Sequence, residues 1–195
     1  MCAAEVLSFS EALGLVIRRG ELMSSVFGGG MMAVLGADVH CIQSVCESYD
    51  LTIANYNSPR QLIVAGKVKD LLAADSKLRA AGVKKIINLP VSGAFHTRQM
   101  RPANIVFYEF LKSLKFRNAV KEVVCASDGR PKSSSVIIKK FIAKQMISPV
   151  EWVKTIENMI QLGVSKFVEI GPKPILSGLI KQINQNVSVE SICDE

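Results

Sequence analysis

Apolar residues recur at helical spacing near the start of the chain and predict a first helix over residues 8 to 27. Ser8 and Glu11 have the spacing of a capping box, in which each side chain caps the other residue's backbone N–H. The helix is therefore expected to begin at this serine and to end at the glycines 28–30. The positions that form its apolar stripe are Leu13, Val16, Ile17, Gly20 and Met23.

The hydrophobic period changes after residue 30, where short alternating runs are separated by helical ones. The pattern predicts β-α-β-β-α-β, the ferredoxin-like unit. Such a unit can bind RNA, but Tyr56 is the only aromatic residue on its four strands, which argues against that use. The three glycines lack the lysine and following helix of a phosphate loop, and we interpret them as a hinge. The predicted segments are strand 31–35, helix 38–48, strands 51–56 and 61–65 around Asn57-Ser58-Pro59, helix 68–81 and strand 84–89.

Strands and helices also alternate after residue 90, which is typical of a mostly parallel sheet. The ferredoxin-like piece would then be an insertion. The predicted division is a large subdomain formed by 1–30 and 91–195 and a small subdomain formed by 31–90. The remaining predicted segments are helix 100–114, strand 122–126, a helix from Ser134 towards Gln145, a helix from Trp152 to Gly163, strand 166–170, helix 175–183 and strand 187–192.

Composition narrows the class of protein. The 195 residues are 49% hydrophobic and 21% charged, as expected for a globular chain, and the net charge of +7 is scattered, which argues against a nucleic-acid tail and suits an acidic partner. Five cysteines without a Cys-x-x-Cys pair suggest neither a zinc site nor a disulfide framework and fit a reducing compartment. No apolar run approaches the roughly 18 residues of a membrane span, and the first residues do not resemble a signal peptide.

His96 is the strongest candidate for chemistry. It follows an apolar strand and a small-residue turn within the stretch 87–97, and the only other histidine, His40, lies in a short polar segment. Histidine is the side chain whose ordinary pKa suits proton transfer near neutral pH. The alternative is a structural histidine that is hydrogen-bonded to the backbone.

The two adjacent arginines of the first helix have different neighbours. Arg18 has Glu21 three residues away, whereas the residues three and four positions from Arg19 are all apolar. A guanidinium in apolar surroundings is unfavourable unless an anion pairs with it. Arg19 could therefore bind a substrate carboxylate, or it could form a salt bridge to a distant acidic residue.

Five motifs in one order resemble a known family, the malonyl-CoA:acyl carrier protein transacylases, whose acyltransferase fold also occurs inside fatty-acid and polyketide synthases. The resemblance extends from the first residue to about Ile183. It implies an α/β-hydrolase-like large subdomain with a partial parallel sheet and an inserted ferredoxin-like small subdomain. The motifs are Leu-Val-Ile-Arg-Arg-Gly-Glu-Leu-Met, Ala-Asn-Tyr-Asn-Ser-Pro, Pro-Val-Ser-Gly-Ala-Phe-His-Thr, Gln-Met-Ile-Ser-Pro-Val-Glu-Trp, and Glu-Ile-Gly-Pro followed by Leu-Ser-Gly-Leu.

The resemblance implies a role for several residues. His96 would be the general base for a serine nucleophile, Gln145 would orient the imidazole without adding charge, and Arg19 would bind the malonyl carboxylate. Phe95 matches the Ala-Phe-His pattern of malonyl-selective members. Asn55 and Asn57 match positions near the substrate pocket, although Asn57 before Ser-Pro is also a common turn residue.

The resemblance also implies the partners. Malonyl-CoA and acyl carrier protein would be the substrates, with coenzyme A bound as a thioester and no other cofactor or metal. Neither nucleic acid nor a membrane would be a partner. The complete protein would be a monomer in the cytoplasm, or in a mitochondrion or plastid of a eukaryote.

The chain departs from the family's pattern at the nucleophile. No Gly-x-Ser-x-Gly occurs in the sequence, and the Gly-Gln-Gly segment of the oxyanion hole is also missing. The opening residues resemble those that follow a Gly-His-Ser-Leu-Gly elbow, so the resemblance implies an N-terminally truncated chain that is inactive alone. An exposed sheet edge and an exposed apolar face would then be expected. The alternatives are an inactive subunit that binds carrier protein and a thioester hydrolase of the same fold.

Overall fold

The computed structural model describes residues 1–193, and helices alternate with short strands throughout. Three short 3-10 helices, Cys2–Ala4, Arg98–Met100 and Gln145–Ile147, connect longer elements. The helices are α1 (Phe9–Ser24), α2 (Val39–Ser48), α3 (Val68–Ala80), α4 (Arg101–Ser113), α5 (Ser135–Lys144), α6 (Trp152–Gln161) and α7 (Ile175–Ile183). The strands are β1 (Gly29–Leu35), β2 (Thr52–Ser58), β3 (Gln61–Lys67), β4 (Lys85–Asn88), β5 (Val123–Val124), β6 (Pro131–Lys132), β7 (Lys166–Ile170) and β8 (Ser188–Ile192).

Helix α1 begins as its sequence predicts. The Ser8 side chain accepts a hydrogen bond from the Glu11 backbone N–H at 3.3 Å, and the Glu11 carboxylate accepts one from the Ser8 N–H at 2.7 Å. The capping box is therefore confirmed, and α1 ends at Ser24, four residues before Gly28.

The ferredoxin-like unit is also confirmed. Its four strands lie in the order β2-β3-β1-β4, and every neighbouring pair is antiparallel. Alternate residues of β1 face opposite sides, because successive side chains of a strand point to opposite faces. Met32 and Val34 pack in the core with α2 and α3, whereas Met31 and Ala33 pack with Ala94, two residues before His96. The second face of this sheet thus supports the segment that carries the candidate histidine.

Helices α1, α4 and α5 share a second core, and the C-terminal elements α6, α7, β7 and β8 pack around a separate, smaller one. Phe107 and Leu111 of α4, Ile138 of α5 and Met146 are completely buried in the α1–α4–α5 core. Among the strands of residues 1–193, only β7 and β8 pair in parallel, and they form their own two-stranded sheet; a single parallel bridge also joins Asn55 to Val150. The fold is mixed α/β, and its parallel part is small.

Strand 122–126 is shorter than predicted. Only Val123 and Val124 form β5, because the chain turns at once: the N–H groups of Asp128 and Gly129 both donate to the Cys125 carbonyl, and β6 returns antiparallel.

Large apolar side chains are exposed on α1 and on β7. Phe9, Val16 and Ile17 of α1 and Val168 and Ile170 of β7 are all exposed. Among residues 1–193, no helix has both the length and the apolar character needed to cross a membrane. The division into subdomains 1–30 with 91–195 and 31–90 stays a prediction, and residues 194 and 195 lie outside the described part.

Candidate active site

His96 lies in a tight turn that its neighbours close. The buried Thr97 hydroxyl donates to the Ala94 carbonyl at 2.6 Å and accepts from the Gln99 N–H at 3.2 Å. His96 itself has a φ of 61°, in the left-handed region. A non-glycine residue held in such a region costs roughly 1–3 kcal/mol and persists where its surroundings impose it, often at functional sites. Sequence reasoning missed Thr97, although a hydroxyl residue before a helical turn is a common N-cap signal.

Gly29 packs closely against Ala94 and Gln99 of this segment. A methyl group at Gly29 would collide with the backbone nitrogen of Ala94, lie 2.9 Å from the Ala94 Cβ, and lie 3.0 Å from the Gln99 side-chain oxygen. Gly29 and Gly30 are buried members of β1, and Gly28 alone of the three has a positive φ, 83°. The hinge interpretation of the triple glycine was therefore wrong for two of its members. Gly29 is needed because the two backbones approach closely.

Gly29→Ala is expected to destabilise the protein by roughly 1–3 kcal/mol, because overpacking at a rigid backbone contact forces the turn to move. Gly14→Ala is the matched control, since that helical glycine has nothing within 4 Å. The control is expected to stabilise by up to about 1 kcal/mol through helix propensity. Urea unfolding of both variants measures the difference. Equal unfolding midpoints would contradict a close contact at Gly29.

The His96 ring is held by two backbone carbonyls. Nδ1 lies 2.8 Å from the Gln145 carbonyl oxygen and 3.2 Å from that of Ser148. Carbonyl oxygens only accept hydrogen bonds, so Nδ1 carries the proton and donates it, and Nε2 of the neutral ring keeps its lone pair. The alternative of a backbone-bonded histidine is thus correct for Nδ1, and the same bonds leave Nε2 available as a base.

The two carbonyls are fixed by local structure. Met146, between them in sequence, is completely buried in the α1–α4–α5 core, and Ser148 is extended (φ −118°, ψ 143°), as expected before Pro149. Val150 then pairs with β2: it donates to the Ala54 carbonyl at 2.8 Å and accepts from the Tyr56 N–H at 2.9 Å. The segment that holds His96 is therefore anchored in one core and on one sheet.

Gln145 contacts His96 through its backbone carbonyl and not, as the sequence predicts, through its side chain. Its main-chain carbonyl meets the imidazole, and the structure records no hydrogen bond from its side-chain amide to His96 within residues 1–193. The reason is geometric: α5 ends at Lys144 and the chain continues as a 3-10 turn, which directs the carbonyl towards the ring. Sequence motifs show side chains only, so this contact could not be assigned to the backbone in advance.

The surroundings of His96 favour the neutral imidazole. Burial lowers the pKa of His96 below its ordinary value of 6.5, and the positive charge of Arg19 lowers it further, while the Gln145 and Ser148 carbonyls act in the opposite direction. A lowered pKa means that the ring is mostly unprotonated at pH 7 and can accept a proton through Nε2.

Arg19 lies near His96 without an acidic partner. Within the described chain, no carboxylate approaches its guanidinium to ion-pair distance, and its buried Nε has no hydrogen-bond partner, whereas Arg18 forms the predicted pair with Glu21 at 3.0 Å. Burial lowers the pKa of Arg19. The alternative of a salt bridge to a distant acidic residue is not observed in residues 1–193.

A cavity of about 620 Å³ opens beside His96. Lys67 and Arg98 contribute exposed positive charges to its lining, and neither forms an ion pair within residues 1–193. The other lining residues are Asp50, Thr52, Ala65, Gly66, Thr97, Gln99, Ile147 and Pro149. Sequence reasoning had singled out neither of the two basic residues.

The remaining predicted site residues do not line the cavity. Phe95 is partly buried and packs against both the α1–α4–α5 core and the second face of the small sheet. Asn55 and Asn57 are members of β2, and Asn55 forms a backbone bridge to Val150. The turn interpretation of Asn57 was wrong, because the turn comprises residues 59 and 60.

The chain belongs to the acyl transferase domain family, whose model matches residues 1–193. Within it, the chain is similar to the malonyl CoA-acyl carrier protein transacylase of Staphylococcus aureus (strain MSSA476), with 36% identity over 200 residues that cover 98% of this chain and 65% of the relative. An acyl carrier protein S-malonyltransferase from Vibrio cholerae superimposes with a TM-score of 0.94 at 31% identity, covering 98% of this chain and 65% of that one. A malonyl-transacylase in complex with its type II polyketide synthase acyl carrier protein superimposes with a TM-score of 0.95 at 31% identity, covering 100% and 65%. The chain thus spans about 65% of the length of these relatives.

Proposed function

We propose that this chain carries the base and the carboxylate-binding part of a site that transfers malonyl from coenzyme A to the phosphopantetheine thiol of acyl carrier protein. One observation carries the proposal: Nδ1 of His96 is fixed by two carbonyls beside an arginine that lacks an acidic partner in residues 1–193. The similarity to malonyl transacylases supports it. The proposed location is the cytoplasm, or a mitochondrion or plastid in a eukaryote.

His96 would move one proton in each half of the reaction. Nε2 takes the proton of a serine hydroxyl as its oxygen attacks the malonyl thioester, and the imidazolium returns that proton to the departing coenzyme A thiolate. In the second half, Nε2 takes the proton of the phosphopantetheine thiol as its sulfur attacks the malonyl ester. The imidazolium then gives that proton to the departing serine oxygen. The two carbonyls that accept from Nδ1 stabilise the transient imidazolium without a carboxylate.

Arg19 would select the acyl group. A planar guanidinium can bind a carboxylate with two parallel hydrogen bonds, and a malonyl group offers a carboxylate that an acetyl group lacks. The bound anion would also offset the charge that depresses the His96 pKa, so the base would become stronger when the donor is in place. Phe95 would limit the space next to the malonyl methylene and disfavour a methyl branch.

The cavity suits the thioester carrier. Its volume of about 620 Å³ is in the range of small-molecule sites, and Lys67 and Arg98 would attract the phosphate of coenzyme A or of phosphopantetheine. In the proposed transfer, coenzyme A takes part only as the thioester substrate.

The 195-residue chain mixed with labelled malonyl-CoA is expected to acquire no malonyl ester. It contains no Gly-x-Ser-x-Gly, and the hydrogen bonds recorded for the His96 ring in residues 1–193 go to carbonyls rather than to a serine hydroxyl. A longer chain with Gly-His-Ser-Leu-Gly upstream of Met1 is expected to become labelled, and to lose the label when that serine is alanine. Mass spectrometry of the intact proteins measures both. An ester on the 195-residue chain, or an unlabelled longer chain, would count against the proposal.

A further inference from the structure

A solvent-exposed apolar groove runs between α4 and α5, with a volume of about 760 Å³. Large side chains in it are unusually open to solvent: Val136 is 75% exposed, Ile105 59% and Tyr108 50%. Contiguous apolar surface of this kind marks interaction sites. The residues that form its apolar floor are Ile105, Tyr108, Leu111, Val136, Ala143 and Ile147.

Four lysines border the groove, and no carboxylate of residues 1–193 lines it. Lys112 pairs with Glu109 at 2.8 Å, and Lys139 donates to the Leu114 carbonyl at 3.0 Å. Lys140 and Lys144 are exposed and form no ion pair within residues 1–193. They are four residues apart on α5, so they lie on one side of the helix and present their charges together.

The groove and the His96 cavity share one lining residue. Ile147 lines both the groove and the His96 cavity. It belongs to the 3-10 helix whose first residue, Gln145, holds the imidazole. A partner in the groove would therefore lie beside the mouth of the His96 cavity.

We propose that the α4–α5 groove binds an acidic amphipathic helix of a carrier protein, placing its prosthetic arm at the His96 cavity. An apolar floor with a basic border matches a helix that has apolar residues on one face and carboxylates beside them. Nucleic acid would leave the apolar floor uncovered, and a second copy of this +7 chain would bring like charges together. This inference rests on the proposed function for the identity of the partner.

The test measures binding of an acyl carrier protein in its apo form, without phosphopantetheine, to the 195-residue chain by fluorescence anisotropy. Lys140→Glu combined with Lys144→Glu is expected to weaken binding about tenfold or more, and Val136→Glu to weaken it similarly, since both oppose complementary charge and apolar burial. Raising the salt concentration should weaken wild-type binding. Lys77→Glu combined with Lys85→Glu is the control, because it makes the same charge change at two exposed lysines that do not line the groove.

The three altered positions are exposed, and circular dichroism verifies that the variants fold. Binding that is equal in the groove variants and in the double-lysine control would overturn the proposal, as would self-association of the chain that Val136→Glu abolishes. Malonyl transfer to free pantetheine by a longer, serine-containing chain separates the two proposals. If that transfer occurs while the groove variants bind carrier protein normally, docking at the groove is wrong and the proposed function stands. If carrier protein binds at the groove and no transfer occurs, the proposed function is wrong.

Discussion

Replacement of His96 by glutamine is expected to lower malonyl transfer by roughly a thousandfold or more in a longer chain that carries the upstream serine elbow, because general-base catalysis is lost. Glutamine keeps a polar side chain of similar reach but cannot take the serine proton. The loss should appear in both half-reactions, since the same Nε2 acts on the serine and on the acceptor thiol. Rates of ester formation and of transfer to carrier protein measure it.

His40→Gln is the matched control for that experiment. His40 is exposed on α2 and donates its backbone N–H, not its ring, to Asp38. Its replacement should leave the rate within about twofold, as for a surface change away from the site. Comparable losses in both variants would indicate a general effect on folding and would remove His96 from the chemistry.

Replacement of Arg19 by glutamine is expected to lower malonyl transfer by about a hundredfold and to leave acetyl transfer nearly unchanged. Hydrogen bonds to charged groups contribute about 1.5–3 kcal/mol each, so losing a two-point contact with a carboxylate removes about 3 kcal/mol. Acetyl-CoA has no carboxylate, and its transfer depends only on the His96 base. The ratio of the two kcat/KM values is therefore the informative quantity.

The neighbouring arginine provides the control. Arg18→Gln removes the same charge from the same helix, but this arginine is exposed and already paired with Glu21. Exposed pairs contribute at most about 1 kcal/mol, and this change should affect both donors equally and weakly. Equal losses of malonyl and acetyl transfer in Arg19→Gln would contradict a carboxylate-binding role.

Local patterns predicted the parts of the fold that local physics controls. The Ser8 and Glu11 capping box and the alternation of the four strands of the ferredoxin-like unit both depend on neighbouring residues, and both are present. The sequence likewise showed that no acidic residue lies three or four positions from Arg19 on its helix.

Contacts between distant backbones could not be predicted in the same way. The His96 ring is held by carbonyls 49 and 52 residues away, which no side-chain motif encodes. The need for glycine at position 29 arises from the backbone of Ala94 across the fold. The α4–α5 groove depends on how two helices pack, and each helix alone looked like an ordinary amphipathic one.

Nitrogen-15 NMR of the His96 ring in the 195-residue chain tests most directly whether this imidazole is a neutral base beside Arg19, which has no acidic partner within residues 1–193. His40→Gln assigns the signals, since the chain has two histidines. We predict a proton on Nδ1 and none on Nε2 at pH 7, a pKa below the ordinary value of 6.5, and a rise in that pKa when malonate is added, which Arg19→Gln abolishes. A proton on Nε2, or a His96 pKa that malonate leaves unchanged, would contradict the account.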